Sequence, residues 1–292
     1  MLEVNEVKIE RVLNPTSIDL GEYVINPYFG CEFACLYCYA RSNRLAQRKN
    51  KPWGRYVDIR INAPELLEKE IAVKKPKTVL LGSTTECFQA VEKKYCISGK
   101  ILEILNRNKI NYVILARSPM IIKYLPLLEE GYCSKIYFTV NNLNHEAKSL
   151  LEPNSPDFDE RIDTINVLLN HKLPIIPYFC PVFPWISNLK DVFLNFIDSE
   201  FIEFECLNFR LHNIEEIIKT IAMLDLSINE KYENMQHNKS FYDQVWQSII
   251  TDIETQAFAA KKKFKVHCHG FGDYFKNTYA DNTHLLTNDT KI

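Results

Sequence analysis

Short apolar, β-branched runs recur along the chain, and most are followed by a stretch whose apolar positions repeat at helical spacing. Runs of the first kind read as strands; apolar residues at i, i+3, i+4 and i+7 read as one face of a helix. The strands predicted are Tyr23–Asn26, Thr78–Gly82, Tyr112–Ala116, Lys135–Val140, Ile175–Phe179 and Phe201–Cys206. Leu66–Val73, Ser98–Asn108, Met120–Glu129, Phe158–His171 and Leu189–Ile197 carry the helical period between them. Such alternation implies an α/β fold, because parallel strands need crossover connections and helices supply them. After Asn208 the rhythm changes to a helix over about Ile214–Leu224, a polar link, a helix over about Ser240–Lys261, and then Phe264-Lys-Val-His-Cys-His-Gly270. Residues 1–208 are therefore expected as one domain and 209–292 as a C-terminal helical extension that closes or lines its mouth.

Composition narrows the class. A chain of 292 residues with 46% hydrophobic content buries a full core in one main domain. The N-terminal residues lack a basic start followed by an apolar run, and no stretch approaches 18 apolar residues, so a cytoplasmic protein with no membrane partner is expected. In that setting nine cysteines read as reduced thiols or metal ligands rather than disulfides. A formal net charge of −2 gives no general attraction to nucleic acid. Locally, Arg41, Arg44, Arg48, Lys49, Lys51, Arg55 and Arg60 form a basic run, which reads either as a phosphate-neutralising patch or as a solvated helix face and loop.

The chemistry concentrates in Asn26-Pro-Tyr-Phe-Gly-Cys-Glu-Phe-Ala-Cys-Leu-Tyr-Cys-Tyr-Ala-Arg41. Cys31, Cys35 and Cys38 are spaced Cys-x3-Cys-x2-Cys, which suits three corners of a [4Fe–4S] cluster and leaves one iron open to chelate S-adenosylmethionine (SAM). A structural zinc wants four ligands, and no histidine lies near the run. Buried thiols packing as small hydrophobes are the third reading.

The same segment resembles the radical SAM superfamily, and within it the branch of spore photoproduct lyase and its DNA-repair-photolyase-like relatives. The resemblance continues in Trp53-Gly-Arg-Tyr-Val-Asp-Ile-Arg60, Gly82-Ser-Thr-Thr-Glu-Cys87, Leu115-Ala-Arg-Ser118, Leu151-Glu-Pro-Asn-Ser-Pro156 with Glu160-Arg161, and Pro181-Val-Phe-Pro184. It implies a partial (β/α)6 barrel of TIM type with its chemistry at the C-terminal ends of the strands. It also implies a [4Fe–4S] cluster on Cys31, Cys35 and Cys38 that cleaves SAM to a 5′-deoxyadenosyl radical, fed by an external one-electron reductant of flavodoxin or ferredoxin type. A nucleic acid or nucleotide substrate is expected, with a peptide or small metabolite as the alternative class. The non-enzymatic alternative is a metal-bearing binding module.

On this resemblance Tyr37 lies near the adenine, Thr85 or Glu86 accepts from the SAM ammonium, Arg117 faces the SAM carboxylate and Thr139 supplies a hydroxyl nearby. Core packing, helix capping, a surface ion pair and strand propensity are the respective structural readings of these residues. The hydrogen-returning cysteine of the lyase falls at Ser83, whose O–H bond is too strong for that role, so thymine-dimer lyase activity is not expected. Cys87 is a displaced candidate donor, and Tyr39 is retained near the lyase's radical path. His267, Cys268 and His269, with Cys180 and Cys206, are a candidate second metal site, set against buried thiols and an ordinary terminal strand.

Overall fold

The structure, a computed structural model, describes residues 2–42 and 51–272 and the backbone of 285–287. The chain divides into two compact units: Met1–Ala34, Cys38–Phe138 and Asn154–Ile175 form the first, and Cys35–Tyr37, Thr139–Pro153 and Ile176–Ile292 the second.

The first unit contains β1 (Glu3–Val7), β2 (Asn14–Pro15), β3 (Tyr23–Ile25), β4 (Tyr28–Phe29), β5 (Tyr56–Arg60), β6 (Thr78–Leu81), β7 (Asn111–Ala116) and β8 (Cys133–Thr139), whose last residue belongs to the second unit. β3, β6, β7 and β8 run parallel in that order, with Val24 opposite Leu80, Leu80 opposite Val113 and Ile114 opposite Ile136. Val79, Leu80, Leu81, Ile114 and Ile136 are sealed from solvent, as expected for strands covered on both faces. Helices Ala63–Lys74, Ile97–Arg107 and Phe158–Asn170 supply the expected connections. A small second sheet, β1 parallel and β4 antiparallel to β5, was not anticipated.

In the second unit β9 (Ile175–Val182, from Ile176 on), β10 (Phe201–Cys206) and β11 (Lys263–His267) are parallel, and β12 (Leu285–Thr287) is antiparallel to β11. All six predicted strands are thus present, and β11 adds a further parallel strand from the C-terminal region.

Three local readings are corrected. Leu189–Ile197 forms turns rather than a helix. Asp191 has φ 55°, and Asn188 Oδ1 accepts from Lys190 N at 3.1 Å, so short polar side chains compete with the helical ladder. The polar link after Leu224 contains a helix, Leu226–His237, started by the Asp225 carboxylate on Ser227 N at 2.8 Å and anchored by buried Tyr232 and Met235. Arg60 does not belong to a solvated patch. It ends β5, its Nη1 donates to Asn26 O at 2.9 Å, and burial lowers its pKa. Arg44, Arg48 and Lys49 lie outside the described residues.

Candidate active site

The cysteine run follows β4 without a helix to hold it, so its shape depends on side-chain hydrogen bonds. Gly30, with φ +88°, turns the chain into Cys31; a Cβ there would stand 2.3 Å from Tyr56 O. Its carbonyl accepts from Thr85 Oγ1 at 2.7 Å and from Gln89 Nε2 at 3.2 Å, while Gln89 Oε1 accepts from Glu32 N at 3.1 Å. Asn154 Nδ2 donates to Glu32 O at 2.7 Å. Further on, Tyr39 Oη donates to Ser83 O at 2.5 Å, and Asn26 meets both Ser83 Oγ and Thr84 N. Within the first unit, the segment after β6 therefore ties the neighbours of Cys31, Gly30 and Glu32, and the neighbour of Cys38, Tyr39.

Cys35, Leu36 and Tyr37 belong to the second unit and have their own supports. Leu36 N donates to Leu151 O at 2.9 Å, and Leu36 O accepts from Asn213 Nδ2 at 2.8 Å. Tyr37 is buried, its ring edge-on to Phe183 at 5.4 Å and its hydroxyl donating to Glu152. Asn141 Nδ2 reaches Glu152 Oε1 at 2.7 Å, Cys180 O at 3.0 Å and Tyr37 Oη at 3.3 Å.

The other sequence candidates divide by environment. Thr85 is buried, and its hydroxyl is the one that donates to Gly30 O. Glu86 is buried as well; it accepts from Phe88 N at 2.9 Å and Arg117 N at 2.8 Å. Burial pushes its carboxyl up to about 7 despite those two donors, which pull it down. Arg117 follows directly on β7, as expected for a residue at a strand end, and Thr139 is the last residue of β8, buried in the second unit. Cys87 is fully sealed, with its thiol raised well above the ordinary range by burial. Of the family-like Glu160-Arg161 pair, Glu160 accepts from Asp157 N at 2.8 Å to open its helix, and the buried Arg161 donates from Nε to Pro156 O at 2.9 Å.

At the strand ends of the second unit, β9, β10 and β11 present one polar face. Glu205 accepts from Tyr178 Oη and from Cys180 Sγ, and lies 2.8 Å from His269 Nε2; Glu203 lies 2.6 Å from His267 Nε2. Burial alone would raise Glu205, but the hydrogen bond and charge of His269 and the two neighbouring donors hold it at about 2. Cys206 and Cys268 meet with their sulfurs 3.3 Å apart. The structure thus gathers the residues considered for a second metal site, yet among the described residues neither they nor any other three or more His, Cys, Asp or Glu converge as the ligands of a single metal ion. The sequence reading missed Glu152, Asn141, Asn213, Gln89, Tyr178, Glu203 and Glu205. Glu152 carried a signal by standing in the family-like Leu151-Glu-Pro-Asn-Ser-Pro156 segment, and so did the two acids on β10, since Phe-Ile-Glu-Phe-Glu-Cys puts carboxylates into an otherwise apolar strand.

The pattern of the radical SAM superfamily matches residues 25–187, more than half of the chain and all of the cysteine run. The chain belongs to the radical SAM superfamily. Membership implies an iron–sulfur cluster and SAM as cofactors, and makes the protein a radical SAM enzyme. An uncharacterized protein of Methanocaldococcus jannaschii is 25% identical over 266 residues, covering 89% of this chain and 96% of that one. An uncharacterized protein of Acidianus two-tailed virus is 24% identical over 238 residues, covering 78% and 71%. Among solved structures, a spore photoproduct lyase variant has the same fold, with a TM-score of 0.58 at 14% identity over 74% of this chain and 65% of that one. Another, holding SAM and a dinucleoside spore photoproduct, gives 0.53 at 14% identity over 75% and 65%. The radical SAM chain described here therefore spans a little under two thirds of the length of those lyase chains. Among its described residues no helix is long and apolar enough to cross a membrane.

Proposed function

We propose that Cys31, Cys35 and Cys38 ligate a [4Fe–4S] cluster and that this enzyme uses SAM to abstract hydrogen from a nucleic acid or nucleotide substrate. The observation that carries the reading is the loop itself: three cysteines with the spacing Cys-x3-Cys-x2-Cys, in a segment whose backbone is tied down at Gly30, Glu32 and Leu36. Three soft thiolates at this spacing suit a cluster with an open iron better than a structural ion that needs four protein ligands. When bound, such a cluster supplies the electron that splits the SAM sulfonium into methionine and a 5′-deoxyadenosyl radical, with a flavodoxin- or ferredoxin-type protein as the source of that electron.

Within the first unit, Arg117 is the candidate for the SAM carboxylate, because a guanidinium fork suits a carboxylate. Thr85 or Glu86 is the candidate acceptor for the SAM ammonium; Thr85 also braces Gly30 O and Glu86 the Arg117 backbone N–H. In the second unit, Tyr37 is the candidate for the adenine side and Thr139 for a hydroxyl contact to SAM. Tyr39, held on Ser83 O, and Cys87 remain the candidates for returning hydrogen in the first unit, and sealed Cys87 would need an opening to do so. A nucleotide substrate is supported by the lyase structures of the same fold, which hold a dinucleoside lesion.

Anaerobic reconstitution with iron and sulfide, followed by dithionite and SAM, tests the reading. The expected result is about four irons per chain and formation of 5′-deoxyadenosine and methionine, both lost in Cys35→Ala. A folded Cys35→Ala protein that still makes 5′-deoxyadenosine would refute it.

A further inference from the structure

Glu152 is 0% exposed, sits just beyond the helix His145–Leu151, and accepts from the hydroxyl of Tyr37 in the cysteine run. Tyr37 follows Cys35 by two residues, so what fixes its side chain fixes the turn of the second unit that presents Cys35. Three separate segments of the second unit converge on that turn: the connection after β8 at Asn141, the helix end at Leu151–Glu152, and Asn213 just before the helix Ile214–Ala222. Asn141 donates to Glu152 and to Cys180 O, so the carboxylate is itself aimed by a side chain anchored on β9.

A loop of eight residues with no secondary structure of its own loses its shape readily unless such ties hold it. Glu152 accepts from the Tyr37 hydroxyl inside the Cys-x2-Cys gap while being fully enclosed, and Asn141 reaches the same hydroxyl at 3.3 Å. The enclosure matters. A buried acceptor with two donors is costly to leave unmatched, so the arrangement strongly disfavours any rotation of Tyr37 away from it.

We propose that Glu152 is a positioning residue for the iron–sulfur site, holding the Leu36–Tyr37 turn, through Tyr37, in the geometry that retains the cluster. The inference rests on the reading of Cys31, Cys35 and Cys38 as cluster ligands. Hydrogen-bond partners that orient metal ligands are typically worth about 10–100-fold in metal affinity or activity. Gln at position 152 preserves an acceptor of the same reach for both Tyr37 and Asn141, whereas Ala preserves none.

The test compares reconstituted wild-type protein with the Glu152→Gln, Glu152→Ala and Tyr37→Phe variants. Iron loss to a ferrous chelator and the electron paramagnetic resonance spectrum of the reduced cluster are followed, with circular dichroism melting as the check on folding. Expected are roughly 10–100-fold faster iron loss and a changed spectrum in Glu152→Ala and Tyr37→Phe, with near wild-type behaviour restored in Glu152→Gln. Wild-type iron retention and spectrum in folded Glu152→Ala would overturn the proposal. If Glu152→Ala does not fold, Tyr37→Phe decides, because it keeps Glu152 and its bond from Asn141 while cutting the tie to the loop. A wild-type protein that loads no cluster would instead overturn the ligand assignment on which the proposal stands.

Discussion

Replacing Glu92 by alanine tests whether a single carboxylate organises the core beside the cysteine run in the first unit. The Glu92 side chain is 0% exposed and accepts from the hydroxyls of Tyr28 and Tyr124 and from Ser98 N and Gly99 N, the last two at 3.0 Å. Ser98 and Gly99 lie in the first turn of the helix Ile97–Arg107, so the carboxylate satisfies N–H groups that a helix cannot pair internally. It also faces that helix's positive end. Burial, and then the neighbouring Glu92, raise both tyrosines well above the usual phenol range, so they remain donors at any working pH. Glu92→Ala strands four donors in a sealed space. At about 1–3 kcal/mol for each buried group left unpaired, even the low end amounts to roughly 4 kcal/mol, against a total of about 5–15 kcal/mol for a folded protein. Glu92→Gln keeps the shape but turns one acceptor into a donor, and should cost about half as much. Urea unfolding followed by circular dichroism measures both. A loss below about 1 kcal/mol in Glu92→Ala, with an unchanged denaturant slope, would refute the assignment.

Glu86 supplies a pH signature. Its carboxyl is raised from 4.5 to about 7, so the native state keeps the proton that the unfolded chain releases first; stability should fall as pH rises from about 4.5 to 7. The shift corresponds to roughly 3 kcal/mol at about 1.4 kcal/mol per pH unit, and Glu86→Gln should flatten this part of the stability profile; an unchanged slope would show that burial does not set it. Glu205, held at about 2, acts in the opposite sense: its contribution is present above about 4.5 and lost as pH falls towards 2, and Glu205→Gln should remove that loss from acid-unfolding curves. Gly82→Ala places a Cβ 2.6 Å from Leu115 O at φ +87°, so thermal melting should report a loss of about 1–3 kcal/mol, while a neutral result would mean the β6 end can relax.

The six parallel strands and most crossover helices were legible because each depends on a local pattern: a β-branched run for a strand buried on both faces, and a helical period for the segment that covers it. The cysteine spacing was legible for a similar reason, since ligands of one group that share a loop must lie close in sequence. Where a segment's own chemistry opposed its apolar period, as with Asn188 and Asp191, the period misled. The helix Leu226–His237 was hidden by its polarity, because only Tyr232 and Met235 are buried and the rest of its surface faces water.

The supports of the site could not be read from the chain. Glu152 acts on Tyr37 across 115 positions and Asn213 on Leu36 across 177, while Gln89 reaches Gly30 across 59. The sequence by itself determined which cysteines share one short loop and where the six predicted strands lie, because both are set by residue type and short-range spacing. Only the tertiary structure decided which buried carboxylates and amides hold the cysteine loop in place. Hydrogen bonds between distant segments have no period, and which partners meet depends on how the strands and helices pack.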